Sequence, residues 1–193
     1  RERELEALGL DPSQPTGLVL FGGQGSMQML RIAKLLTGHQ LILLCGRHER
    51  LAEALRRLRR AAPHATVGFT REVSRYMRLA DWFVGKPGPG SLSEAVQCGL
   101  PVITFSNAWT LPQERFNAQW VHETGVGRVV ASLKQLPGAV GQLLQDLPQH
   151  RDRVAAIDNR AVFEVPQILA EQLIRAAAPA FAPPIPLARG ATP

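Results

Sequence analysis

Two glycine-rich segments carry residue types suited to holding a phosphate. The first is Gly22-Gly23-Gln24-Gly25-Ser26; the second is Gly85-Lys86-Pro87-Gly88-Pro89-Gly90-Ser91-Leu92-Ser93-Glu94-Ala95. Glycine lets a backbone approach a ligand closely. A helix starting just after such a loop offers unpaired N–H groups and the positive end of its dipole to an anion. In the second segment the prolines stiffen the turn, and Ser91 is placed to cap the helix that follows. Glu94 stands at capping-box spacing from Ser91, so it has two readings: a cap for its own helix, or a carboxylate offered to a ligand. The first segment has a plainer reading too, as a tight turn without a ligand. Lys86 is either a phosphate-facing cation or a solvated loop lysine.

Other phosphate and metal patterns fail. A dinucleotide fingerprint would run through Gly23, Gly25 and then Gln28, where the third glycine is missing. The second strand ends in Gly46-Arg47-His48, with no acid to grip an adenosine ribose. NAD is therefore not expected; NADP, using Arg47 or Arg50 for its extra phosphate, stays as an alternative. No Gly-Lys-Ser/Thr follows the first loop. Cys45 and Cys98 form neither a zinc pattern nor a disulfide framework. His39, His48, His64, His122 and His150 are scattered, and a structural role is expected for each.

The elements that position these loops alternate along the chain. Residues 17–21, 40–45, 65–69, 82–84, 102–105 and 127–130 are continuously apolar, as in strands covered on both faces. Between them, residues 26–37, 48–61, 71–79, 91–98 and 113–124 are long enough for helices. This alternation predicts an α/β fold: a Rossmann-like, doubly wound parallel sheet of about six strands with helices on both faces. One domain is expected over residues 1–178, with its core at 17–130 and C-terminal helices over 133–178. Residues 179–193 are proline-rich and are expected to be a disordered tail.

The chain has 193 residues, 45% of them hydrophobic and 20% charged, which excludes pervasive disorder. No apolar run reaches the roughly 18–20 residues of a membrane-spanning helix. The net charge is +6, and Arg47, His48, Arg50, Arg56, Arg57, Arg59 and Arg60 concentrate it. That face suits a phosphorylated ligand or anionic lipid, or is simply solvated; without interleaved aromatics or a binding motif, nucleic acid is not expected as a partner. The chain opens Arg-Glu-Arg-Glu without a methionine or a leader-like segment. We expect a fragment whose natural start lies upstream, from a protein of a reducing cytoplasm.

The segment GKPGPGSLSEAVQCGLPVI resembles the donor-binding signature of inverting GT-B glycosyltransferases. It is most similar to monogalactosyldiacylglycerol synthases and bacterial diacylglycerol glycosyltransferases. The lipid II-forming N-acetylglucosaminyltransferases are a more distant resemblance. FGGQGS, LLCGR, GFT, YMRLADWFV, LPQERFNAQWV and GVG follow the family order over residues 17–130. The resemblance implies the C-terminal, donor-binding half of a two-domain enzyme, with a UDP-sugar as donor substrate and no cofactor. It implies that the backbone at Phe69 holds the uracil and that Glu94 binds the ribose hydroxyls. Gly88, Gly90, Ser91 and Leu92 would meet the diphosphate, with Gly23, Gln24 and Gly25 closing from the first loop. Gln113, Glu114 and Asn117 would face the sugar.

Lys86 and Arg47 would stabilise the departing diphosphate. No Asp-x-Asp occurs, which fits a metal-independent site. The catalytic base is expected in the missing N-terminal acceptor domain, so none is assigned and the fragment alone is expected to be inactive. The acceptor is expected to be a membrane lipid, with peripheral contact at the cytoplasmic face of an inner membrane. Ser26-Met27 departs from the plant-type pattern in the phosphate-facing first loop, and residues 106–111 depart from it next to the sugar-binding residues, which leaves the donor sugar open. The alternatives are a nucleotide-binding subunit of a split glycosyltransferase, a UDP-sugar epimerase-like domain or an NADP-binding domain.

Overall fold

The computed structural model describes residues 1–108 and 110–177. Six strands, β1 (Thr16–Leu20), β2 (Gln40–Leu44), β3 (His64–Val67), β4 (Trp82–Gly85), β5 (Val102–Phe105) and β6 (Gly127–Val130), form one sheet in the order β3-β2-β1-β4-β5-β6. Every neighbouring pair is parallel. The expected doubly wound sheet is therefore present, and its strands lie within a residue or two of the apolar runs. The helices are α1 (Glu2–Ala7), α2 (Gln28–Leu35), α3 (Glu49–Arg56), α4 (Val73–Leu79), α5 (Pro89–Gln97), α6 (Pro112–Thr124), α7 (Leu136–Gln145), α8 (Leu147–Ala155) and α9 (Ala161–Ala177).

Alternate residues of each strand enter opposite cores, because successive side chains of a strand point to opposite faces. Val19, Leu41, Leu43, Trp82 and Val84 pack with Met29 and Ile32 of α2, Leu51 and Leu55 of α3, and Val140 and Leu143 of α7. Leu18, Leu20, Ile42, Leu44 and Phe83 pack on the other face with Leu5, Met77, Leu92, Ala95, Val121 and Val154. Burial on both sides explains why the strands read as unbroken apolar runs.

The sequence reading missed α1, whose six residues are too few to show a helical period; Leu5 anchors it in the core. The helical stretch expected over 133–178 is interrupted. A 3-10 turn (Leu133–Gln135) leads into α7, Asp146 separates α7 from α8, and α9 begins only at Ala161. Arg1–Ile157 forms one compact unit and a second begins at Asp158, so the single domain expected to residue 178 groups into two. The tail expected over 179–193 lies outside the described residues.

Polar contacts gather at the N-terminal ends of the strands. Asp81, just before β4, accepts from Arg1 Nη2 (2.7 Å) and from the Thr16 N–H (2.8 Å), and it also pairs with Arg151 of α8. Buried Gln40 donates to Thr16 Oγ1 (2.7 Å) and accepts from the Asp11 N–H (2.7 Å). Arg60 leaves the solvated arginine face expected from the sequence. Its guanidinium donates to the carbonyls of Ala33 (2.9 Å), Leu36 (2.6 Å), His39 (2.7 Å) and Pro63 (3.3 Å). It thereby satisfies the orphan carbonyls at the end of α2.

Candidate functional site

The loops after β1 and β4 flank the point where the strand order reverses, which is where open α/β sheets bind ligands. The β1–α2 loop is braced by the β2–α3 loop. The Arg47 N–H donates to Gly23 O at 2.9 Å. Gly25 (φ +67°) and Gly46 (φ +58°) have left-handed backbones. A Cβ on Gly25 would lie 2.3 Å from Cys45 O, and one on Gly46 would lie 2.2 Å from Gly23 O. Only glycine fits either position. The sequence reading took Gly46 for the absence of a ribose-binding acid; the available signal was a glycine closing an apolar strand.

A pocket of about 230 Å³ opens between these loops, the end of β3 and the start of α5. Gly22, Gly23 and Gly46 form one side, Gly68-Phe69-Thr70 another, and Gly90, Ser91 and Glu94 a third. Gly88 is the N-cap of α5 and Pro89 its first residue, so the helix starts earlier than expected. This overturns the cap expected at Ser91, whose hydroxyl lies one turn inside and donates to Gly88 O at 3.4 Å. It also removes the capping-box reading of Glu94. That carboxylate is exposed, borders the pocket and has no hydrogen bond or ion pair among the described residues.

The diphosphate contact expected at Leu92 is corrected as well. Its side chain is core and its N–H donates to Gly88 O at 3.2 Å. The N–H groups of Gly90 and Ser91 make no hydrogen bond among the described residues, and they stand at the positive end of α5.

A larger cleft of about 680 Å³ adjoins Gly25, Lys86, Thr110, Leu111 and Glu114. Glu114 is 9% exposed, and its Oε1 lies 3.2 Å from Lys86 Nζ. Lys86 is thus neither merely solvated nor free; it faces the cleft while held by Glu114. Asn117, expected at the sugar, instead donates from Nδ2 to Pro87 O at 2.8 Å and fixes the loop. Gln24 and Gln113 are exposed and border neither cavity.

Arg47, expected at the diphosphate, stacks on Phe69, with its guanidinium carbon 4.7 Å from the ring centroid. The half-exposed ring offers the cation a π face. Four of the five histidines have structural partners, His39 by packing edge-on against the Trp82 ring, with centroids 6.2 Å apart. His48 caps α3 by accepting from the Leu51 N–H (3.2 Å), and His64 and His150 bond the carbonyls of Leu55 (2.8 Å) and Gly125 (3.0 Å). Sequence reasoning did not single out Arg31, Thr70 or Lys134, which border the cavities. Arg31 and Lys134 lie outside the glycine loops, and Thr70 follows Gly68-Phe69 at the end of β3.

A six-stranded parallel sheet with paired loops at its switch point defines the class: a Rossmann-like domain with the C-terminal GT-B architecture. MurG of Acinetobacter baumannii superposes with a TM-score of 0.69 at 14% identity, over 82% of this chain and 50% of that one. WaaG, a glycosyltransferase involved in lipopolysaccharide biosynthesis, gives 0.62 at 20% identity, over 89% and 50%. Residues 18–172 match the model described as the glycosyltransferase family 28 C-terminal domain, and the chain belongs to that family. It is 32% identical over 147 residues to the chloroplastic monogalactosyldiacylglycerol synthase of Spinacia oleracea, covering 70% of this chain and 28% of that protein. It is 30% identical over 176 residues to a probable synthase of Glycine max, covering 82% and 32%. The chain thus spans under a third of these relatives' lengths.

Proposed function

We propose that this chain is the donor-binding part of an inverting, metal-independent hexosyltransferase that moves a sugar from a UDP-sugar to a membrane lipid such as diacylglycerol. The observation that carries the reading is Glu94: a carboxylate with no hydrogen bond or ion pair among the described residues, bordering a pocket shared with the end of β3 and the start of α5. Its two oxygens suit the vicinal hydroxyls of a ribose. The uracil then lies against the Phe69 backbone. The diphosphate meets the free N–H groups of Gly90 and Ser91, whose fixed dipoles stabilise the charge that develops as UDP leaves. Lys86 adds a cation on the cleft side, steadied by Glu114.

The base that takes the acceptor's proton belongs, on this reading, to an acceptor domain outside this chain. The enzyme works at the cytoplasmic face of a membrane. The exposed Arg50, Arg56, Arg57 and Arg59 supply attraction to anionic lipid.

Calorimetric titration with UDP, in the presence of a chelator and beside NADP, tests the proposal. UDP binding without metal is expected, weakened by about 1–3 kcal/mol in Glu94→Ala, the usual cost of losing hydrogen bonds to a charged group. Binding of NADP but not UDP, or equal UDP affinity in the variant, overturns it.

A further inference from the structure

The 680 Å³ cleft beside the nucleotide pocket carries charge that the donor reading leaves unused. Its volume lies in the range of roughly 300–1,000 Å³ that takes a drug-sized ligand. Lys86 and Glu114 stand on one side as an ion pair. Two further cations border it, Arg31 of α2 and Lys134 of the 3-10 turn before α7. The two elements are in contact, and Leu133 packs against the same core as Met29 and Ile32, so the backbones bearing the two charges are fixed relative to each other.

Neither Arg31 nor Lys134 has an ion pair or side-chain hydrogen bond among the described residues. Glu114 is the acid bordering the cleft, and it is engaged with Lys86. Both side chains are exposed at the cleft's border, and two cations facing one cleft add their fields there, so an anion held in it is drawn to both.

We infer that Arg31 and Lys134 form an oxyanion subsite, which holds a phosphate or carboxylate on the substrate group lying beyond the donor diphosphate. The inference rests on the donor reading for which substrate that is, and it makes the substrate class acidic. Either the donor sugar is a uronic acid, which keeps diacylglycerol as a fitting acceptor, or the acceptor carries a phosphate and takes the place of the neutral diacylglycerol.

Both sources are tested on the full chain by calorimetry. One arm compares UDP-glucuronate with UDP-glucose; the other titrates glycerol 3-phosphate with and without saturating UDP. The variants are the double substitution Arg31→Gln, Lys134→Gln and the control Lys34→Gln, an exposed cation of the same helix that does not border the cleft. One anionic probe is expected to bind the wild type and the control alike, and the double variant about tenfold more weakly, as for a charge-assisted contact. UDP affinity and the melting curve should stay unchanged in the double variant. A dependence on the pair for UDP-glucuronate assigns the anion to the donor; one for glycerol 3-phosphate assigns it to the acceptor. Glycerol 3-phosphate binding that depends on the pair while UDP fails to bind keeps the subsite and removes the donor reading. Equal affinity of both probes in wild type and double variant, or no binding of either, overturns the inference.

Discussion

Glu94 and Glu114 are the same residue type near the same loops, yet their surroundings give them different work. Glu94 borders a cavity with no hydrogen bond or ion pair among the described residues, while Glu114 is buried and steadies Lys86. Residue type and spacing were enough to single out Glu94, whereas Glu114 came into view only through the family resemblance. They did not reveal that Leu92 has spent its N–H on Gly88, that Asn117 holds Pro87, or that Arg47 rests on Phe69. Each of those outcomes depends on where a helix starts or on a distance between remote segments, which local pattern does not carry. Cys45 makes the role of environment measurable. Burial pushes its thiol up to about 11 from an ordinary value near 9. The unfolded thiol therefore ionises first as pH rises. The stabilising contribution is complete below pH 9 and is lost between 9 and 11. Urea melts at pH 8 and pH 10.5 should show a larger loss of stability in the wild type than in Cys45→Ala. Equal losses would refute the assignment.

At the scale of elements, the strands and most helices were legible because burial on both faces leaves unbroken apolar runs, and glycine or proline closes them. The ends of elements were less so. The start of α5 at Pro89 rather than Ser91 follows from Gly88, whose extended backbone already caps the helix. Proline is preorganised for the first helical position, so the rule was present but outweighed by the serine. Arg60 illustrates the opposite limit: in a run of arginines nothing local marks the one that turns inward. It closes α2 through the carbonyls of Ala33 and Leu36 and also reaches His39 and Pro63. Arg60→Met should cost about 2–3 kcal/mol in chemical denaturation, since several acceptors lose a charged donor together. Arg59→Met, on the exposed side, should stay within about 0.5 kcal/mol. Equal effects in the two variants would remove Arg60 from this role.

For the whole molecule, the two compact units make a direct claim about autonomy. Residues 1–157 hold both cores and every residue placed at the nucleotide pocket. A chain ending at Ile157 is expected to fold, to keep its UDP affinity, and to melt within about 3 °C of the full chain, the shift that about 1 kcal/mol gives at this size. Loss of cooperative unfolding would show that the segment from Asp158 completes the fold. The chain's two kinds of polar device are also separated. Asp81, Thr16, Gln40 and Asp11 tie the elements together at the N-terminal ends of the strands, while Glu94, Gly90 and Lys86 stand at the C-terminal ends. A lineage carrying this fold can thus repair a destabilising change at one pole without altering what the other pole recognises. New ligand preferences can then accumulate on a scaffold whose robustness is inherited separately.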